Sequence, residues 1–324
     1  MSISSLSTGD RSPAAGVGTA RGTRRRSRTG FETKVSPYLF IAPFFVIFAL
    51  FGLFPSVYTF YVSLFKWTLG DADEKTFVGL GNYVDLMHDP AFWNALGNTV
   101  GIFVIATVPQ VLLALALAQV LNSRLRSRTL FRMGLLLPNI TSIAAVAITF
   151  SQLFARDFGV INYLLGLFGV EAVDWQANRL SSWLAIATMV DWRWTGYNAL
   201  IFLAALQAIP HELYESASLD GAGRFRQFRS ISIPVLRPTI IFVVVISTIG
   251  GIQLFAEPLL FDTNPTNATG GASGEFQTLA LYLYQTGFKL FRFGYAAAIG
   301  WVMFLIVCIF VVINYWLTRR IHSR

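Results

Sequence analysis

The sequence predicts an all-α membrane protein with six transmembrane helices and both termini on the cytoplasmic side. Three observations carry that prediction. Of the 324 residues, 54% are hydrophobic and only 13% are charged, about half the charge of an ordinary soluble domain. The apolar residues fall in blocks: Val35–Phe65, Ala91–Ser123, Met133–Ala155, Pro238–Ala256 and Phe293–Thr318 hold no Asp, Glu, Lys or Arg, and Leu180–Pro210 is interrupted only by Asp191 and Arg193. Each block is near or above the ~20 residues that span a hydrocarbon core. Charge also alternates between the connecting segments. Those assigned to the inside, starting with the N-terminal tail, hold 18 Lys/Arg against 5 Asp/Glu, while the others hold 6 against 11. This is the positive-inside bias that orients membrane chains, so the net charge of +8 is topogenic and no nucleic-acid partner is expected.

Residues 1–34, rich in Ser, Thr, Gly and Arg, show no core pattern and are expected to form a disordered basic tail. The six-span domain then occupies 35–324. The cluster Arg24, Arg25, Arg26 and Arg28 has two readings: contact with anionic lipid, or retention of the N-terminus inside. The first span, about 38–64, contains Pro43 and Pro55, and Pro55 is expected to kink it. An acidic outer loop follows, flanked by Trp67 and Trp93 as interfacial anchors. The second span, about 94–121, carries Pro109 and Gln110 near its middle. Arg124, Arg126, Arg128 and Arg132 mark the inner turn to the third span, about 135–154. There Pro138, Asn139, Thr141 and Ser142 either line a path or bond to backbone and neighbouring helices. Residues 156–179 form an outer loop with room for a surface helix.

The fourth span, about 181–208, contains Asp191-Trp192-Arg193-Trp194-Thr195-Gly196-Tyr197-Asn198. Charges at membrane depth are costly and face a bundle interior or a wet cavity. Two residues apart, Asp191 and Arg193 point about 200° from each other on one helix, so each needs a separate partner. The fifth span, about 239–261, places Ser247, Thr248, Gly250, Gly251 and Gln253 at mid-depth. Glu257 sits at the outer mouth or is structural. The sixth, about 293–317, ends at Arg319-Arg320.

Between the fourth and fifth spans lies a polar stretch, residues 210–238. Pro210 suits the start of a helix, and Glu212 and Glu215 suit the positive end of its dipole. Asp220-Gly221 breaks that helix, because glycine accepts the left-handed conformation. A second short helix is expected from about Gly223, stopped by Pro234 and Pro238. The phrase Glu215-Ser216-Ala217-x-x-Asp220-Gly221-Ala222, followed by Phe228, Ile231, Pro234 and Pro238, resembles the cytoplasmic EAA loop of ABC importer permeases, most of all the maltose- and oligosaccharide-type carbohydrate branch. Ser216 stands where that family usually has Ala. Leu80-x-Asn82-Tyr83, Gly270-Gly271 with Thr278-Leu279, and Gly294-Tyr295-Ala296-x-Ala298 also resemble family phrases, with Ala272 in place of a usual Pro.

The resemblance implies a type I ABC importer permease fold that carries a di- or oligosaccharide, or a related small carbohydrate, through the cell membrane. It implies a second homologous permease, two ABC ATPase subunits and an extracytoplasmic solute-binding protein as partners, with lipid around the spans. ATP and Mg would bind the ATPases, and no cofactor is expected in this chain. Glu215, Ala217, Asp220, Gly221, Ala222, Arg224, Phe228 and Pro234 would form the ATPase-coupling loop. Asp191, Arg193, Trp194, Tyr197, Asn198, Ser247, Gly251 and Leu254 would line the substrate path, aromatic faces suiting a pyranose and polar groups its hydroxyls. For Asp191 and Arg193, a purely structural role stays equally open.

Enzymatic chemistry finds no support in the sequence. No Gly is followed by Lys, so there is no phosphate-cradling Gly-x-x-x-x-Gly-Lys loop. His88, His211 and His322 are scattered, there is no serine elbow, and the single cysteine, Cys308, lies in the last apolar run. An ion-coupled secondary transporter using Asp191 is the alternative. It predicts internal repeats, of which none is clear.

Overall fold

The computed structural model describes residues 29–70, 75–123, 127–262 and 269–322. Most of the expected tail, with Arg24–Arg28, lies outside the described residues, as do Arg124 and Arg126. The chain divides at Pro55 into two compact units. In the first, α1 (Thr29–Phe48) already begins at Thr29, so residues 29–34 are helical rather than tail. Glu32 and Lys34 are good helix formers and extend the apolar helix outward. A π turn, Ala49–Leu53, separates α1 from α2 (Phe54–Ser63). It directly precedes Pro55, where a wider turn accommodates a ring that would clash with the carbonyl four residues back.

In the second unit, β1 (Phe65–Lys66) and β2 (Thr76–Phe77) form a short antiparallel ribbon with Phe65 opposite Phe77. Asn82, on α3 (Gly81–His88), ties it down: its Nδ2 donates to the carbonyls of Ser63 at 2.7 Å and Phe65 at 2.9 Å. Gly294 lies against the same Phe65 carbonyl, where a Cβ would come within 1.8 Å. The Asn-Tyr phrase and the Gly294-Tyr295 phrase therefore meet in one joint, for a packing reason.

Asp89 starts α4 (Pro90–Asn122), accepting from the Ala91 amide at 2.9 Å, with Pro90 in the first turn. The other oxygen of the Asp89 carboxylate accepts from the hydroxyls of Tyr282 and, at 2.8 Å, Tyr295. Burial raises the Asp89 pKa, but these hydrogen bonds outweigh it and leave the value below its ordinary one. A carboxylate held below its unfolded pKa stabilises the fold fully above that unfolded value and loses the contribution as pH falls through the lowered one. We expect melting in detergent to drop as pH falls below about 4, and Asp89→Asn to flatten that acid limb. An unchanged acid limb in the variant would remove Asp89 as its cause.

The third span differs from expectation. It is broken into α5 (Arg128–Ile140) and α6 (Ile143–Leu153), bent by 88°. Pro138 has no amide for the preceding turn, and Thr141 closes the helix by donating from both N and Oγ1 to the Leu137 carbonyl, at 3.1 and 2.8 Å. α7 (Val160–Leu167) is the surface helix anticipated in the next loop, pinned by buried Asn162, which donates to the Arg156 and Val173 carbonyls and accepts from the Trp175 indole. α8 (Arg179–Gln207) runs its length against α4. Two glycines allow close crossings there: a Cβ on Gly101 would lie 2.2 Å from the Trp183 ring, and one on Gly196 would lie 1.9 Å from the Leu135 carbonyl of α5.

After α9 (His211–Leu219) and α10 (Arg224–Gln227), the chain does not stop at Pro234 and Pro238 as expected. It runs through a π turn, Phe228–Ser232, into α11 (Ile233–Ile252), giving one continuous helix from Arg224 to Ile252. The π turn opens the ladder where the Pro234 ring enters, so the proline is absorbed rather than terminating. The fifth span also ends earlier than predicted, at Ile252. The Leu254 carbonyl is taken by the Thr278 hydroxyl at 2.6 Å, and a separate α12 (Ala256–Phe261) follows. Thr278 also caps α13 (Leu279–Tyr284), which precedes α14 (Phe293–His322).

Four described helices are long and apolar enough to cross a membrane, or five if the bent α5–α6 pair is one span. α8 has the length, at 29 residues, but Asp191 and Arg193 interrupt its apolar run. Three buried clusters hold the second unit together. Ile186, Met189, Phe150 and Phe261 join α6, α8 and α12; Phe202, Leu206, Ala118 and Leu236 join α4, α8 and α11; Leu279, Ile299, Phe92 and Ile252 join α4, α11, α13 and α14.

Candidate functional site

The residues singled out from sequence fall in two places, a helical hairpin at one end of α8 and a polar centre within it. The hairpin is α9 and α10. α9 ends at Leu219, and Gly221 takes φ 78°, the left-handed conformation that the Asp220-Gly221 pair predicts. The Ala222 amide returns to the Ala217 carbonyl at 2.9 Å and that of Gly221 to Ser218 at 3.0 Å, satisfying the end of the helix. Across the turn, Gln227 Nε2 donates to Ser218 Oγ at 2.8 Å and to the Ala222 carbonyl at 2.9 Å, fixing the angle between the two helices. Tyr214 fastens the hairpin to the bundle, its hydroxyl 2.9 Å from that of buried Ser232.

What remains outward is mixed apolar and charged. No residue of α9 or α10 is buried; Leu219 is 90% exposed and Phe225 77%. Glu215, Asp220 and Arg224 are exposed, Ala217, Ala222 and Phe228 half-buried, and Pro234 half-buried in the helix that follows. Two fully exposed large apolar side chains amid charges on a rigid hairpin are the makings of a docking surface. Gln227 and Tyr214 were not anticipated. An uncharged Gln inside Arg-Phe-Arg-Gln-Phe-Arg was the available signal.

The polar centre of α8 is built differently. Arg193 reaches Glu257 of α12, Nη1 to Oε1 3.0 Å, with the two side chains 11% and 5% exposed. Asp191, on another side of the helix, has a buried Oδ1 with no hydrogen-bond partner. One end of α8 further on, buried Asn198 donates to Gln110 Oε1 of α4 at 2.9 Å, and Ser247 of α11 donates to the same oxygen at 3.3 Å. Trp194 and Tyr197 form an edge-to-face pair 5.9 Å apart, Tyr197 exposed.

The path residues therefore separate. Asp191, Trp194, Tyr197 and Ser247 keep some exposure. Asn198 is consumed in a bond between helices. Gly251 is a close-packing position, since a Cβ there would lie 2.6 Å from Phe103 of α4. Leu254 is buried in the break after α11 and joins the core of α6 and α8. Arg193 is engaged with Glu257, which lies beyond a helix break and which no spacing along the chain points to. The signal for it was that two buried charges in apolar runs need each other.

A bundle of long apolar helices with an exposed hairpin between α8 and α11 is the framework of a multi-pass membrane protein. Residues 99–323 match the family described as the binding-protein-dependent transport system inner membrane component. The chain belongs to that family. It is 37% identical over 302 residues to the lactose transport system permease protein LacF of Rhizobium radiobacter, covering 92% of this chain and 99% of that one. It is 38% identical to the arabinooligosaccharides transport system permease protein AraP of Halalkalibacterium halodurans, covering 91% and 92%. Among solved structures, a chain of a bacterial alginate ABC transporter, in complex with its alginate-bound periplasmic protein, superposes with TM-score 0.75 at 22% identity, over 90% of this chain and 97% of that one. The protein is thus an ABC importer permease subunit, and hydrolysis of ATP falls to separate subunits. Family membership displaces the ion-coupled alternative.

Proposed function

We propose that this chain forms half of the pathway of an ATP-driven importer for a di- or oligosaccharide or a related small carbohydrate. A second, homologous permease completes the pathway. Six spans cross the cell membrane with both termini in the cytoplasm, α8 and the bent α5–α6 pair supplying the two that apolarity alone does not single out. The α9–α10 hairpin seats in a groove on one of two ABC ATPases, where ATP and Mg bind, and an external binding protein delivers substrate to the opposite end. The sugar reading rests on relatives that carry lactose and arabinooligosaccharides along nearly the whole chain.

One observation carries the coupling part. The hairpin is internally rigid, held by Gln227 and the Gly221 turn, yet it exposes Leu219 and Phe225 with charged neighbours. A rigid lever with an uncovered apolar tip suits transmission of a push from a partner. The broken α5–α6 pair supports a wet path, since non-helical backbone at membrane depth is tolerated where it is buried in protein or lines a water-filled cavity. The test is uptake of labelled lactose and arabinooligosaccharide by proteoliposomes holding the complete transporter and its binding protein. ATP inside the cytoplasmic compartment should drive uptake, and collapse of proton and sodium gradients should leave it unchanged. Uptake that follows an ion gradient without ATP would refute the reading.

A further inference from the structure

The charges of the α8 centre do not cancel. Arg193 and Glu257 neutralise each other at 3.0 Å. Asp191 is left over: among the described residues no Lys or Arg stands within ion-pair distance of it, and its Oδ1 is buried without a partner. The next turn on the same face brings Thr195, four residues on. Its hydroxyl is also buried and unpartnered. Thr286 is unpartnered in the same way, but Thr99, Thr141, Thr149, Thr188 and Thr248 all donate to the carbonyl four residues back, at 2.7–2.8 Å. Asn198, a further turn along the face, is by contrast bonded to Gln110. A carboxylate oxygen and a neighbouring hydroxyl left without partners at membrane depth are costly unless something that enters the site hydrogen-bonds to them.

We infer that Asp191, with Thr195, is the charge filter of the translocation path. The pair accepts hydrogen bonds from sugar hydroxyls or from the ammonium of an amino sugar, and it repels carboxylated sugars. In its ionised form Asp191 presents an approaching carboxylate with a negative charge that no described cation balances, whereas hydroxyls and amines meet an acceptor. This specificity role rests on the carbohydrate reading, and it places neutral and amino-bearing sugars in the accepted class and uronates in the excluded one.

The charge itself can be read without knowing the sugar. In the assembled transporter, with Cys308→Ser removing the chain's one cysteine, Thr195→Cys is modified with a cationic and an anionic methanethiosulfonate reagent of similar size. The cationic reagent should react faster, and Asp191→Asn should reduce the ratio of the two rates by about tenfold, while Asp191→Glu keeps it. Thr188→Cys, exposed one turn before Asp191 and two before Thr195, serves where Thr195→Cys does not assemble. Uptake of digalacturonate relative to lactose should rise in Asp191→Asn. A ratio indifferent to Asp191→Asn, or no modification at either position, would overturn the filter, because the acid would then be protonated, be neutralised by the partner permease or lie off any aqueous path. Failure of the unaltered transporter to import any neutral sugar counts against the carbohydrate reading alone, since the reagent ratio does not depend on it.

Discussion

Gly221→Pro is expected to silence transport while leaving the spans inserted and the complex assembled. Gly221 sits at φ 78° and its amide donates to the Ser218 carbonyl at 3.0 Å. Proline holds φ near −65° and has no amide hydrogen, so both features that close the hairpin are lost at one position. Together they are worth on the order of 2–4 kcal/mol locally. The exposed tip, Leu219 and Phe225, would no longer be presented at a fixed angle. Uptake and binding-protein-stimulated ATP hydrolysis should fall together, by at least about tenfold, which a loss of ~1.4 kcal/mol in coupling already gives. Gly221→Ala is the graded control. No atom lies within 4 Å of its added Cβ, so it suffers only the left-handed strain of about 1–2 kcal/mol and should be impaired less. Gln227→Ala, which removes the strut but not the turn, should fall between the variant and the parent. Undiminished uptake by an assembled Gly221→Pro complex would mean that the hairpin does not couple the two activities.

The second large effect concerns the Arg193–Glu257 pair. Removing either partner leaves an uncompensated charge where the other side chain is 11% or 5% exposed. Such losses run to about 3–5 kcal/mol, far above a surface ion pair. Arg193→Met and Glu257→Leu should each lower the melting temperature and yield of the purified subunit severely. The double variant should recover most of the loss, because apolar side chains of similar volume replace a buried pair at little cost. The bond ties α12 to α8 across the break that follows α11, so the single variants should also loosen α12, visible as faster amide exchange over Ala256–Phe261. Additive losses in the double variant would show that the two residues act independently.

Much of this molecule is legible along the chain. Apolar blocks of span length and the bias of arginine toward alternate loops mark a membrane protein without any coordinates, because hydrophobic length and charge placement are local properties, and the Glu215–Ala222 phrase adds the family by resemblance. Gly221 is the clearest instance: its φ follows from having no Cβ. The separate fates of Asp191 and Arg193 were also local, since a helix turns them apart.

Tertiary structure decided the rest. Pro234 and Pro238 look like stops in sequence, yet a π turn and packing against α8 carry the helix through them. Pro138 has the same local chemistry, and there Thr141 captures the carbonyl and the span breaks. Asn198, Gly251 and Leu254 look alike as candidates for a path by spacing. Only contacts with Gln110, Phe103 and the α6–α8 core, each from another segment, show them used in packing. Glu257 and Thr278 became partners of Arg193 and of the Leu254 carbonyl only once distant segments met. Helix length, charge bias and turn chemistry are written residue by residue, and so belonged to the sequence. Which buried polar atom finds a donor depends on segments far apart in the chain coming together, and that the folded structure alone decides.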